Sequence, residues 1–128
     1  MTSTALQIAL PYQRAWTGKD IDSAMEYLAA DVICLAPSGR IDGVAAYREF
    51  LAPFAEQLLI SSELIAAFGD DSTALIMYDT ETVPAASAPA SECLTVHDGK
   101  IVHNRFIFDR APFIKFSRRT ATDSTGND

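Results

Sequence analysis

Cysteine is scarce in this chain: two thiols, Cys34 and Cys93, in 128 residues. A small secreted scaffold stapled by disulfides carries more, so reduced thiols in a cytoplasmic protein are expected. The cysteines stand at no metal-ligand spacing, and histidine is as rare, with His97 and His103 alone. No metal and no cofactor are therefore expected. Basic residues number 10 against 17 acidic ones, a net charge of −7. Such a surface repels phosphate backbones, which argues against a nucleic-acid partner. No apolar run approaches the ~18 residues that span a bilayer, so no membrane partner is expected. The opening MTSTALQIALPYQRAW lacks the basic stretch of a secretion signal.

What is present is the composition of a globular domain, 48% hydrophobic and 21% charged, at the length of one domain. Ala5 to Trp16 reads as a helix that starts or kinks at Pro11. Tyr12 and Trp16, four residues apart, share a face. Asp20 suits an N-cap before the stripe Ile21, Ala24, Met25 and Leu28. VICLA after Asp31 reads as a strand, and Pro37-Ser38-Gly39 as a turn. From Val44 to Leu58, Tyr47, Phe50, Leu51, Phe54 and Leu58 keep helical spacing, with a kink expected at Pro53.

The period then changes. Strands are expected at 59–68, 73–83, 90–97 and 100–109, with a polar tail without structure from Ser117. Helices followed by an antiparallel meander make the fold class α+β. Asp98-Gly99 is a two-residue hairpin signal. Counted outward from it without interruption, Cys93 meets Asn104 on one face, with Val102, Phe106 and Phe108. The other face takes Leu94 opposite His103, and Glu92 opposite Arg105. The bulky set is assigned to the helix-covered face, which leaves Asp79, Glu81 and Glu92 as solvated or ion-paired outer positions.

A helix, then GKDIDSAMEYLAADVICLAPSGRIDGVAAYREFLAPF, then a meander ending DGKIVHNRFIFDRAPF resembles SnoaL-like and ketosteroid-isomerase-like members of the nuclear-transport-factor-two-like superfamily. The resemblance implies a cone-shaped roll: a curved, mainly antiparallel sheet closed by three N-terminal-half helices around an apolar pocket. It implies one domain over 1–116, with 117–128 as the tail. Ketosteroid isomerases use a helix-one tyrosine, an aspartate base after the first strand, and a protonated aspartate in the meander. Tyr12 falls on the tyrosine, Ala36 on the base, and the second aspartate near Cys93. In epoxide-hydrolase-like members the corresponding triad falls on Phe106 and Asp79, with Glu81 near the remaining aspartate, so that triad is broken too.

The reading that follows is a small-molecule enzyme acting on an apolar cyclic substrate by acid/base chemistry. Tyr12, Asn104 and Asp109 are the catalytic candidates. Trp16, Phe50, Phe54, Tyr78, Cys93, Phe106 and Phe108 are the ligand-binding candidates. The competing reading is a ligand-binding or dimerisation domain without chemistry. Asn104 facing Cys93 on an apolar wall would need a ligand or water, and Asn104→Leu would spare the fold while weakening binding. A homodimer is expected through the outer sheet face near Leu94, His103, Arg105 and Ile107.

Overall fold

A computed structural model describes residues 3–125, with side chains described through 118. The elements follow in the order α1 (Thr4–Thr17), α2 (Ile21–Glu26), β1 (Leu28–Ala36), β2 (Gly39–Asp42) and α3 (Val44–Pro53). A π-helical segment (Phe54–Leu58) comes next, then β3 (Leu59–Gly69), β4 (Thr73–Thr82), β5 (Ala90–His97), β6 (Lys100–Phe108) and α4 (Ala111–Thr125). The strands form one sheet in the order β2-β1-β6-β5-β4-β3. Its pairs are antiparallel except β1 with β6, which run parallel. This is the expected α+β class.

Local chemistry sets the helix ends. Ser3 caps α1 by accepting from Leu6 N at 3.1 Å. The helix runs through Pro11, which lacks an N–H for the internal ladder. Asp20 caps α2 by accepting from Ser23 N at 3.2 Å. At Pro53 the missing N–H ends the α-helical ladder. The chain then winds as a π turn into β3 instead of continuing one helix to Leu58. β2 is a short strand that the Pro37-Ser38-Gly39 turn folds back onto β1.

The buried face of the sheet takes Ala74, Ile76 and Tyr78 from β4, Leu94 from β5, and Ile101 and Phe106 from β6. Ala5, Ala9, Tyr12 and Trp16 of α1 pack onto it with Tyr47 and Leu51 of α3. Small alanines let the helix approach while the rings fill the space between.

Two expectations need correction. The hairpin turn is right: Asp98 (φ 51°) and Gly99 (φ 76°) both take positive φ, as a tight turn of this kind requires. The register beyond it is not. Val96 pairs with Ile101, but Thr95 pairs with His103, so Val102 is an extra residue on β6. Such a bulge exchanges the faces of everything beyond it on one strand relative to its partner. Cys93 therefore pairs with Arg105, Leu94 with Asn104, and Glu92 with Phe106. Leu94 is fully buried, so it drops out of the expected outer surface. The second correction concerns the tail: helix α4 runs on to Thr125, and only 126–128 of the expected tail lie outside the described residues.

Candidate functional site

Glu92 is the centre of the site. It is 0% exposed. Its Oε1 accepts from Asn104 Nδ2 at 2.7 Å and from Tyr12 OH at 3.0 Å; its Oε2 accepts from Tyr78 OH at 2.6 Å. Asn104 Nδ2 also donates to Tyr47 OH at 2.7 Å, and the Tyr12 and Tyr47 hydroxyls share a short hydrogen bond. Three elements besides β5, namely α1, β4 and β6, thus donate to one carboxyl, and Tyr47 of α3 bonds two of the donors.

Burial pushes Glu92 above the usual carboxylate range; hydrogen bonds from Tyr78, Asn104 and Tyr12 hold it back. Tyr12, Tyr47 and Tyr78 are all raised well above the usual phenol value, first by burial and then by the nearby Glu92 charge. Cys34, paired across the sheet with Asn104, is pushed up to about 12 by burial and by Glu92. The phenols and the thiol therefore stay neutral, and any charge in the cluster rests on Glu92.

Beside this cluster lies an apolar cavity of about 40 Å³, walled by Trp16, Phe50, Phe54, Phe106, Phe108 and Phe113 among others. The rings meet edge-on or tilted: Trp16 with Phe54 at 6.0 Å, Phe50 with Phe106 at 5.9 Å, Phe106 with Phe108 at 5.5 Å. Phe113 of α4 closes the wall against Phe54 (5.5 Å) and Phe108 (5.8 Å). Tyr78 and Trp16 belong to both places. Tyr78 lines the cavity and bonds Glu92. Trp16 lines it too; its indole Nε1 has no partner at hydrogen-bonding distance, yet still favours the Glu92 charge.

Of the residues singled out by sequence, Trp16, Phe50, Phe54, Tyr78, Phe106 and Phe108 share the cavity wall. Tyr12 and Asn104 meet at Glu92. Cys93 does not join them: the Val102 bulge turns it to the opposite face, beside Arg105 and Leu75. Asp109 does not join them either. It is exposed, and its Oδ1 accepts from Ala111 N at 3.0 Å at the start of α4. It borders a separate open groove with Pro84 and Lys115. Glu92 and Tyr47 are the residues sequence reasoning missed. Glu92 was placed outside because the uninterrupted register sent it there. Tyr47 was absorbed into the α3 stripe, although a phenol on a buried face needs a partner. Asp79 and Glu81 are exposed, as expected. No group of three His, Cys, Asp or Glu among the described residues could hold a metal. No helix among them is long and apolar enough to cross a membrane.

The family model of the SnoaL-like domain matches residues 11–104. A search of curated proteins gives no match. Among solved structures, a protein from Kribbella flavida DSM 17836 is 54% identical, with TM-score 0.87, covering 96% of this chain and 99% of that one. An NTF2-like protein of unknown function from Cytophaga hutchinsonii ATCC 33406 is 17% identical, with TM-score 0.74, covering 89% and 97%. TerC, crystallised with polyporic acid, is 20% identical, with TM-score 0.74, covering 88% and 97%. The last two show the shared fold alone.

Proposed function

The chain belongs to the SnoaL-like domain family, and from that membership we propose a small-molecule enzyme that exchanges a proton with an apolar, ring-bearing substrate through Tyr78 and Glu92. One observation carries the reading: Tyr78 lines the cavity while its hydroxyl donates to the buried Glu92 carboxyl at 2.6 Å. A raised carboxyl pKa suits a group that must both hold and release a proton. Tyr78, raised well above the usual phenol value, serves as a relay and not as a base. In the forward step the Tyr78 hydroxyl proton passes to the Glu92 carboxylate and a substrate proton replaces it on the phenol oxygen, leaving a carboxylic acid. The reverse step restores the carboxylate. Tyr12 and Asn104 become positioning residues on Oε1, and Asp109 plays no part.

A cavity of about 40 Å³ is far below the ~300–1,000 Å³ of sites that hold drug-sized ligands. A ring-sized substrate must therefore widen it. A second reading, ligand binding without chemistry, is favoured by one fact: Glu92 touches the cavity only through Tyr78 and Trp16.

The test is solvent-proton exchange. Neutral and amine-bearing cyclic ketones are incubated with the protein in heavy water, and deuterium uptake is followed by NMR. The enzyme reading expects uptake with some member of the panel and a loss of about 10²–10⁴-fold in Glu92→Gln. Uptake that survives Glu92→Gln refutes Glu92 as the proton carrier. Saturable binding without exchange supports the second reading.

A further inference from the structure

Five contacts join Glu92, the three phenols and the Asn104 amide. Tyr12, Tyr47 and Tyr78 bring one polar hydrogen each, and the amide brings two. Five hydrogens thus fill five contacts when Glu92 is a carboxylate. A protonated Glu92 would add a sixth, and the cluster's unfilled acceptor, Asn104 Oδ1, has no partner at hydrogen-bonding distance to supply it. The hydrogen bonding is that of an anion. Burial opposes the same anion, and nothing around it offers a countercharge. The groups facing it are Tyr12 and Trp16 on α1, Tyr47 on α3, Cys34 on β1, Tyr78 on β4 and Asn104 on β6. None of these carries a positive charge.

The neighbouring cavity repeats the pattern. Seven aromatic rings line it, and its lining includes no Lys, Arg or His. Aromatic faces attract cations, most strongly where water is excluded. The net charge of −7 draws cations toward the protein as a whole.

We propose that the cavity selects a positively charged ligand, an alkylammonium group held by the aromatic wall with Glu92 as its buried counterion behind Tyr78 and Trp16. Neutral ligands of the same shape lose the countercharge and are bound more weakly. The ring-bearing substrate of the proposed function is then amine-bearing. This selectivity rests on that reading only for where the ligand sits, not for any chemistry.

Choline and 3,3-dimethylbutan-1-ol differ in a quaternary nitrogen against a quaternary carbon, at nearly equal shape. Each is titrated into the full chain and read by calorimetry and by the emission of Trp16, the only tryptophan. Choline is expected to bind on the order of tenfold more tightly at mildly alkaline pH. The advantage should shrink on acidification as Glu92 takes up a proton. The phenols and Cys34 titrate far above this range, so they cannot mimic the effect. Glu92→Gln should abolish the preference. Equal or tighter binding of the alcohol by the wild type overturns the proposal. So does a preference that survives Glu92→Gln or is flat with pH, and so does the absence of saturable binding by either probe. Proton exchange with neutral ketones alone would leave the enzyme reading standing while this one falls.

Discussion

Tyr78→Phe removes a single hydroxyl, and the geometry says which oxygen is stranded. Oε2 of Glu92 receives one hydrogen bond, from Tyr78, whereas Oε1 receives two, from Asn104 and Tyr12. The variant leaves Oε2 fully buried with no donor at hydrogen-bonding distance. An unpartnered buried acceptor costs about 1–3 kcal/mol, with the upper end for a charged one. A penalty near ~3 kcal/mol is expected where Glu92 is ionised, and nearer ~1 kcal/mol where it is protonated. The pH dependence has a definite sign. The folded-state pKa of Glu92 is raised, so the folded chain binds more protons than the unfolded one between the ordinary value of 4.5 and the raised one. Stability is greatest below that window and falls as pH rises through it, by about 1.4 kcal/mol per pH unit at most. Tyr78 comes first among the hydrogen bonds that hold Glu92 down. Losing it moves the upper edge of the window higher. The variant should keep losing stability at pH values where the wild type has levelled off. Urea denaturation followed by circular dichroism, from about pH 4.5 to about pH 9, measures both curves. Tyr12→Phe is the control for the pH dependence: it removes the bonds to Oε1 and to Tyr47 but leaves Oε1 with Asn104, so its penalty should change less with pH than that of Tyr78→Phe. A Tyr78→Phe penalty that is equal at both ends of the range, or that changes no more with pH than that of Tyr12→Phe, would refute the reasoning.

Three further outcomes follow from the same geometry. Asn104→Leu should destabilise the fold by ~2–3 kcal/mol in urea, because Glu92 and Tyr47 both lose a donor; this reverses the sparing effect expected from sequence, and a neutral result would contradict the cluster. Any isomerisation of a β,γ-unsaturated ketone in an absorbance assay should depend on Glu92, since Ala36, aligned with the isomerase base, offers no proton acceptor; turnover that survives Glu92→Gln would place the base elsewhere. A homodimer should form through the outer sheet face, where Phe68, Leu75, Met77 and Ile107 are exposed; Met77→Asp should give monomers in light scattering, and a wild-type monomer at all concentrations would exclude the dimer.

Much was legible in sequence because it depends on short-range chemistry. Helical spacing in α1 and α3, Asp20 as a cap, the Asp98-Gly99 turn and the ends of β5 are decided within a few residues. The aromatic wall was legible too, because Trp16, Phe50, Phe54, Phe106 and Phe108 sit on apolar faces whose direction local periodicity sets. The inward turn of Asn104 follows from its alternation with Phe106 and Phe108 along one strand. The identity of its partner does not. Which β5 residue lies opposite depends on one extra residue at Val102, and no local preference distinguished that bulge from a regular ladder. That single residue moved Cys93 outside and Glu92 inside. A glutamate on an alternating strand reads as solvent-facing because burying a lone carboxylate is expensive. It is tolerable here only because Tyr12, Tyr78 and Asn104 arrive from α1, β4 and β6 to solvate it, with Tyr47 of α3 bonded to two of them. Those partners are scattered along the chain, so their meeting is a property of the closed roll. Local sequence determined which faces are apolar; only the tertiary structure decided that the buried charge lies behind them.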